Sequence, residues 1–156
     1  MSISQWTIKP YTKERMPDVI DFERRLRQEE DFWGWEINDA YIEAVSKSFD
    51  DPRFQHSMSL LAYDEESKVV GRIDSTLIAS HFDGSVKAYL DWICVVKSAR
   101  HQGVAQALMD ALRAELKAKG IDTLIGLTAE NEEAQRFYRQ VPSSVMRDMG
   151  IWIDIK

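Results

Sequence analysis

The fold is decided by residues 91–116, which read DWICVVKSARHQGVAQALMDALRAEL. The run begins with consecutive apolar residues at 92–96, which predicts a buried strand. From Val104 onward the apolar residues recur at helical spacing, so the strand leads through a short turn into a helix. The first amides of such a helix lack intrahelical acceptors and carry the positive end of the helix dipole. The turn that opens the helix is therefore suited to bind an anion such as a diphosphate.

The residue types within the turn support this prediction. Gly103 lets a ligand approach the backbone closely, Ala105 is nearly as small, and Arg100 can add a charge-assisted hydrogen bond to phosphate. A second pattern follows on the next predicted helix and consists of Asn131, Ala134, Phe137 and Tyr138.

Together the two patterns resemble the acetyl-coenzyme A motifs of the GNAT superfamily of N-acetyltransferases, Arg/Gln-x-x-Gly-x-Gly/Ala and Asn-x-x-Ala-x-x-Phe-Tyr. The close match covers roughly residues 86–141. The resemblance implies that acetyl-coenzyme A is the cosubstrate and that no metal is needed. It implies that main-chain groups of Ile93, Cys94 and Val95 pair with the pantetheine arm. It also implies that a diphosphate is held by the amides of His101, Gln102, Gly103, Val104, Ala105 and Gln106.

Hydrophobic periodicity and turn signals predict a single α/β domain over residues 1–156, with the element order βααβββαβαβ. The strand–helix–strand unit implies local parallel pairing and the preceding hairpins imply antiparallel pairing, so we expect a mixed sheet. The resemblance supplies the GNAT-like fold, with helices on both faces of the sheet. The predicted strands are 3–9, 57–63, 68–79, 86–96, 122–128 and 145–155, and the last of these is either one strand or a compressed pair of strands. The predicted helices are 13–28, 38–48, 104–119 and 131–141, with Asn38 and Asn131 as N-caps and Gly120 as a C-terminal signal.

Composition excludes several classes of protein. A net charge of −6 argues against nucleic acid as a partner, because phosphate backbones require a basic surface. No stretch approaches the roughly 20 apolar residues that span a bilayer. The start of the chain lacks a secretory signal, and the one cysteine cannot form an internal disulfide. A cytoplasmic location, away from membranes, is the expectation.

Tyr138 is the predicted catalytic acid. Attack of an amine on a thioester expels a thiolate, which needs a proton or a strong hydrogen bond. A phenol, whose pKa is about 10, can stabilise a departing thiolate, whose thiol has a pKa of about 8.5. The alternative is a core aromatic residue whose hydroxyl lies at the surface.

The reaction also needs a general base, because an alkylammonium must lose its proton before it attacks. The sequence offers several candidates for this base. Some GNAT enzymes carry a Glu five residues before the Asn of the second motif, where this chain has Gly126. Asp91 is the best local candidate for both base and acceptor contact. The alternative is a structural ion pair between Asp91 and Arg72. Further candidates for the base are Glu36, Glu43, Glu130 and an ordered water chain.

The acceptor is predicted from the acidic, aromatic segment 29–43, which the resemblance to the GNAT superfamily implies lies near the acceptor cleft. Residues 29–51 hold eight acids and one base, with several aromatic residues among them. Acids raise the local concentration of cations, and aromatic faces attract ammonium groups. We therefore expect a cationic amine, such as a polyamine, an aminoglycoside-like sugar or a basic peptide side chain. The predicted acceptor-binding residues are Trp33, Trp35, Glu36 and Asp91, and the alternative is a solvated surface with core-anchoring tryptophans.

Two further expectations concern the whole protein. The apolar tail at 145–155 would suit a homodimer contact if it is an exposed strand. The rival to an enzyme is a non-catalytic sensor that binds coenzyme A without turnover.

Overall fold

The computed structural model describes residues 5–31 and 35–155. The chain divides into two compact units, residues 1–125 and 126–156. One domain over the whole chain stays a prediction. The first two residues of the predicted strand 3–9 lie outside the described residues.

In the first unit, periodic apolar segments become the predicted strands and helices. Their bounds are β1 (Thr7–Pro10), α1 (Met16–Glu29), α2 (Asp39–Ser48), β2 (Ser57–Tyr63), β3 (Val69–Ala79), β4 (Val86–Val95) and α3 (Val104–Ala118). A short strand, β5 (Leu124–Gly126), reaches the boundary of the unit. The sheet order is β1-β2-β3-β4-β5, with the first three pairings antiparallel. The predicted mixed α/β class is confirmed. The strand predicted at 122–128 is shorter than expected.

Local signals mark the ends of two helices in this unit. The side chain of Asn38 accepts a hydrogen bond from the amide of Tyr41 at 3.0 Å and so caps α2. Gly120 has a φ of 75°, the left-handed conformation in which glycine commonly follows a helix such as α3. These caps depend on neighbours in the sequence, which is why the sequence predicts them.

Helices cover both faces of β3, because alternate residues of this strand point to opposite sides. A Cβ atom at Gly71 would lie 2.8 Å from Val104 and 3.1 Å from Leu108, so this side faces α3. Arg72 instead forms an ion pair with Glu23 of α1 at 3.0 Å. β3 is therefore sandwiched between α1 and α3.

A β-bulge interrupts the pairing of β3 with β4. Asp74 pairs with Trp92, while the next residue, Ser75, pairs with Leu90. Asp91 is the extra residue between these two pairs. A bulge re-aims side chains and bends the strand, and such bulges are frequent next to functional sites.

The second unit contains α4 (Glu132–Gln140), which starts where the sequence predicts. The side chain of Asn131 caps it by accepting a hydrogen bond from the amide of Ala134 at 2.8 Å.

The strand predicted at 145–155 is wrong, because the structure describes these residues without any strand. Asp148 has a φ of 62°, which breaks an extended run, and a strand exists only where a neighbouring backbone pairs with it. The segment leaves large apolar side chains exposed: Val145, Met149, Ile151, Trp152, Ile153 and Ile155.

Candidate functional site

The turn between β4 and α3 presents a row of backbone donors. The amide of Ala107 makes the first bond of the helix, to the carbonyl of Gly103 at 3.0 Å. The amides of 102–106 donate to no acceptor within residues 5–31 and 35–155, and no side chain caps the helix there. Five free amides at the positive end of a helix dipole form an anion-binding geometry. The carbonyl of Gln102 accepts a hydrogen bond from Trp6 Nε1 at 3.2 Å, which ties the turn to the segment before β1.

Two residues of this turn adopt the left-handed backbone conformation. Gly103 has a φ of 86° and His101 a φ of 60°. A Cβ atom at Gly103 would meet no atom of the described residues within 4 Å, so the space that they leave in front of the turn is open. The glycine is thus required by its backbone angle, in addition to the close approach that the sequence suggests. His101 adopts a conformation that costs residues other than glycine about 1 kcal/mol or more.

Arg100 has partners that the sequence does not reveal. Its guanidinium binds both carboxylate oxygens of Glu30, at 2.7 and 2.8 Å, and its Nε donates to the carbonyl of Val95 at 3.1 Å. The expected charge-assisted contact to phosphate would have to compete with these three hydrogen bonds. Arg100 therefore joins the turn to the end of α1.

The strand residues expected to pair with pantetheine are held by β3 on one side. Ile93, Cys94 and Val95 pair with Ile73, Arg72 and Gly71 respectively. The sulfur of Cys94 accepts a hydrogen bond from Trp92 Nε1 at 3.0 Å, and burial raises the pKa of the thiol. This thiol is protonated at neutral pH and suits a structural role.

The residues of the second motif lie on α4. Tyr138 is half-buried, and its ring meets Phe137 edge-on with the ring centroids 5.2 Å apart. Burial raises the pKa of Tyr138 above its ordinary value, so its hydroxyl remains protonated at neutral pH. Asn131 uses its side-chain oxygen for the helix cap, which leaves its amide nitrogen as a donor.

Asp91 lies at the bulge and is exposed. The alternative in which it pairs with Arg72 is wrong, because the Arg72 guanidinium binds Asp74 and Glu23 instead. Within the described ranges, the side chain of Asp91 makes no hydrogen bond or ion pair. Its carboxylate is therefore available to a ligand.

The aromatic part of the predicted acceptor segment is partly engaged within the protein. Trp33 lies outside the described residues. The guanidinium of Arg27 lies 4.7 Å from the Trp35 ring centroid, and Trp92 meets the same ring edge-on at 6.1 Å. Trp35 is still 48% exposed, and Glu36 is exposed beside it. A cleft of about 370 Å³ is lined by Asp31, Trp35 and Glu36, and also by Arg24 and Arg27. A cationic ligand would meet acidic and aromatic surface there together with two guanidinium groups.

Most acids of the segment have protein partners, which the charge count cannot show. Glu29, Glu30, Glu43, Asp50 and Asp51 bind Ser98, Arg100, Lys47, Lys13 and Arg53 respectively. The three remaining acids, Asp31, Glu36 and Asp39, have no partner in the described part of the chain and are exposed. The negative field over the cleft is therefore smaller than the sequence implies.

Neither a cluster of metal ligands nor a membrane-spanning helix occurs among the described residues. No three side chains among them are grouped so that they could ligate a metal ion. None of their helices combines the length and the hydrophobicity that crossing a bilayer requires.

Comparison with known proteins places this geometry in context. The model of the GNAT acetyltransferase family matches residues 2–141. No curated protein sequence matches the chain.

Several solved structures share the fold. An aminoglycoside acetyltransferase from an uncultured soil metagenomic sample, in complex with sisomicin, has a TM-score of 0.80 at 18% identity, covering 97% of both chains. An aminoglycoside 6'-N-acetyltransferase from Acinetobacter baumannii has a TM-score of 0.72 at 15% identity, covering 97% of this chain and 98% of its own. A ribosomal-protein-alanine N-acetyltransferase from Brucella melitensis biovar Abortus 2308 has a TM-score of 0.72 at 15% identity, covering 96% and 97%. At such identities the likeness establishes a common fold.

Proposed function

Since the chain belongs to the GNAT family of acetyltransferases and is an acyltransferase, we propose that it acetylates a cationic primary amine by direct attack in a ternary complex. The observation that carries the proposal is the row of five free amides at the start of α3. Acetyl-coenzyme A supplies an activated acetyl group as a thioester. The amides of 102–106, the left-handed turn and the open space at Gly103 fit its diphosphate.

The strand and the second motif are proposed to orient the cosubstrate further. Main-chain groups of Ile93, Cys94 and Val95 hold the pantetheine arm, and the Val95 amide polarises the thioester carbonyl. Asn131 donates from its side-chain amide, and the small Ala134 leaves room beside it. The motif positions of these residues support their roles.

Tyr138 is the proposed acid. A phenol that stays protonated at neutral pH can donate to the sulfur as negative charge develops there. The raised pKa makes full proton transfer harder, so we assign Tyr138 mainly to stabilising the developing thiolate by a hydrogen bond.

Asp91 is the proposed base and contact for the acceptor ammonium. Its carboxylate is exposed at a bulge and has no partner in the described parts of the chain, so it can accept a hydrogen bond from the incoming amine. Glu36 and Trp35 border the cleft of about 370 Å³ and are the proposed contacts for the rest of the acceptor. The acceptor class is a polyamine, an aminoglycoside-like sugar or a basic peptide side chain.

A homodimer in the cytoplasm is the proposed form of the protein. The exposed apolar side chains of 145–155 support self-association, because soluble monomers rarely leave such a run uncovered. Sedimentation of the purified protein measures this, and a monomer at micromolar concentration would contradict it.

An amine-panel acetylation screen with mass detection of the product tests the function. We expect acetylated product with at least one cationic amine and release of the thiol from acetyl-coenzyme A. Coenzyme A binding without thiol release for any amine would favour the sensor instead. A protein that does not bind coenzyme A would overturn the proposal.

The role of Tyr138 has its own test. Tyr138→Phe should lower kcat while leaving the affinity for coenzyme A nearly unchanged, because the phenol acts only on developing charge. Loss of affinity with normal kcat would contradict the assignment. Tyr89→Phe, a substitution on β4, is the matched control and should leave both quantities near wild type.

A further inference from the structure

The C-terminal end of α1 carries two acidic residues, although basic residues are preferred at this end of a helix. Glu29 is the last residue of the helix and Glu30 is its C-cap. Negative charges at this end oppose the helix dipole, typically by 0.3–1 kcal/mol each. A residue that breaks a local preference usually has a compensating partner elsewhere in the fold.

Both carboxylates find that partner in the turn between β4 and α3. Glu29 accepts hydrogen bonds from the Ser98 amide at 2.9 Å and from the Ser98 hydroxyl at 2.8 Å. Glu30 binds the Arg100 guanidinium through both oxygens, and the two side chains are only 11% and 24% exposed. Burial raises the pKa of Glu29, but the bonds from Ser98 outweigh it and hold the net pKa below its usual value. We call Glu29 and Glu30 the carboxylate pair.

The bonds that the pair makes lie immediately before the free amides. Arg100 directly precedes His101, whose left-handed backbone needs support from its surroundings. Gln102 adds a bond from its side chain to the carbonyl of Ser98 at 3.1 Å, within the same turn. A shift of Ser98 or Arg100 would therefore re-aim the amides of 102–106.

The ion pair between Glu30 and Arg100 also favours a structural role for Arg100. Glu30 neutralises Arg100, so a diphosphate in front of the turn meets the helix amides and little net charge from this guanidinium. A direct phosphate contact by Arg100 would leave Glu30 unpaired and largely buried, which is costly. The geometry therefore favours Arg100 as a link within the protein.

We propose that Glu29 and Glu30 are positioning residues for coenzyme A, which hold the 96–103 turn through Ser98 and Arg100 so that the amides of 102–106 converge on the diphosphate. The inference rests on the proposed function of that turn. It assigns Arg100 to the carboxylate pair instead of to phosphate.

The test compares Glu30→Gln with wild type for two acetyl donors, acetyl-coenzyme A and S-acetylpantetheine, which lacks the diphosphate. We expect Glu30→Gln to weaken coenzyme A binding, measured by calorimetry, about tenfold. The kcat/KM for acetyl-coenzyme A should fall by a similar factor, while that for S-acetylpantetheine stays within about twofold. Glu30→Asp, which keeps the charge, should recover part of the affinity.

Further variants keep the test decisive. Glu66→Gln, in the exposed β2–β3 turn, is the matched control and should match wild type. If Glu30→Gln does not fold, Arg100→Lys replaces it, because lysine keeps the charge but cannot make the bidentate contact with Glu30. This variant should also lose activity with acetyl-coenzyme A more than with S-acetylpantetheine. Glu29→Gln should show it more weakly.

Three results would overturn the inference. Unchanged or tighter coenzyme A binding by Glu30→Gln would mean that freeing Arg100 does not harm the site. Equal losses for both donors would indicate a general effect on folding. If wild type itself fails to bind coenzyme A, the proposed function fails first and the inference with it.

Discussion

The face of the sheet that packs against α3 is apolar, whereas the face that packs against α1 carries a buried network of charged side chains. On the first face, Gly71 approaches Val104 and Leu108 closely. On the second, Arg72 binds Asp74 at 2.7 Å and Glu23 at 3.0 Å.

The charged network extends beyond Arg72. Glu23 also binds Arg27 at 2.6 Å, and Asp74 also accepts a hydrogen bond from Ser59 at 2.7 Å. Burial alone would lower the pKa of Arg72, but the Asp74 and Glu23 carboxylates raise it, and the net pKa lies above its ordinary value. The network thus joins two acidic and two basic side chains, which balance in formal charge.

The comparison teaches that the two faces depend on different properties. The stability that an apolar contact contributes depends on the volume and shape of the side chains that fill it, because hydrophobic packing has no preferred direction. A buried charge depends on its partners, because removal of one partner leaves the other desolvated and unpaired. The faces should therefore respond differently to substitutions of similar size.

Arg72→Met is expected to have the largest effect. It keeps an unbranched side chain but removes the Arg72 ion pairs from Asp74 and Glu23, and Glu23 then keeps its ion pair with Arg27. The free energy of unfolding should fall by about 3–5 kcal/mol, because charge is left buried and unpaired. Urea denaturation measures this loss. Arg53→Met, at an exposed ion pair, should leave the midpoint nearly unchanged. A triple variant with Glu23→Leu and Asp74→Leu should recover part of the stability, and a loss as large as that of Arg72→Met would contradict the explanation.

Gly71→Ala tests the apolar face and should cost about 1–3 kcal/mol, because the new Cβ lies too close to Val104 Cγ1. In a Val104→Ala background the same substitution should cost less, since the nearest atom has been removed. Denaturation of the four proteins gives the coupling energy, expected to be on the order of 0.5–3 kcal/mol. Additive losses would show that the contact with Val104 is not the cause.

Tyr63→Phe tests the rim of the charged face and should cost about 1 kcal/mol at neutral pH. The Tyr63 hydroxyl donates to Asp18 at 2.8 Å. Burial, followed by the bond and charge of Asp18, raises the pKa of Tyr63 to about 12.

Because this pKa is raised, the contribution of Tyr63 is fully present below about pH 10 and is lost as pH rises through about 12. Unfolding free energy measured from pH 9 to 12 should therefore fall less steeply in Tyr63→Phe than in wild type. Asp18→Asn should move the loss to lower pH. Parallel curves for wild type and Tyr63→Phe would rule out the linkage.

Much of the fold could be predicted because it depends on neighbours in sequence. The helix caps at Asn38 and Asn131 and the helix start at Val104 lie where the sequence predicts them. The prediction of a strand at 145–155 was wrong, because the pattern of apolar residues does not show whether a neighbouring backbone is available to pair.

The candidate site was predictable to a similar extent. The motif located the turn whose amides are free, and it located Tyr138 on the next helix. It could not reveal the bulge that exposes Asp91, since a bulge depends on the register with another strand. The only signal for the carboxylate pair was two acids at the wrong end of a helix.

Residues 91–116 determine the buried strand, the turn and the amphipathic helix, because backbone angles and hydrophobic periodicity are properties of adjacent residues. The partners of Arg72 and Arg100 were decided only when the chain folded, since each binds an acid about 50 to 70 positions away. Opposite charges attract over a few ångströms whatever their separation along the chain, and only the folded chain sets those distances.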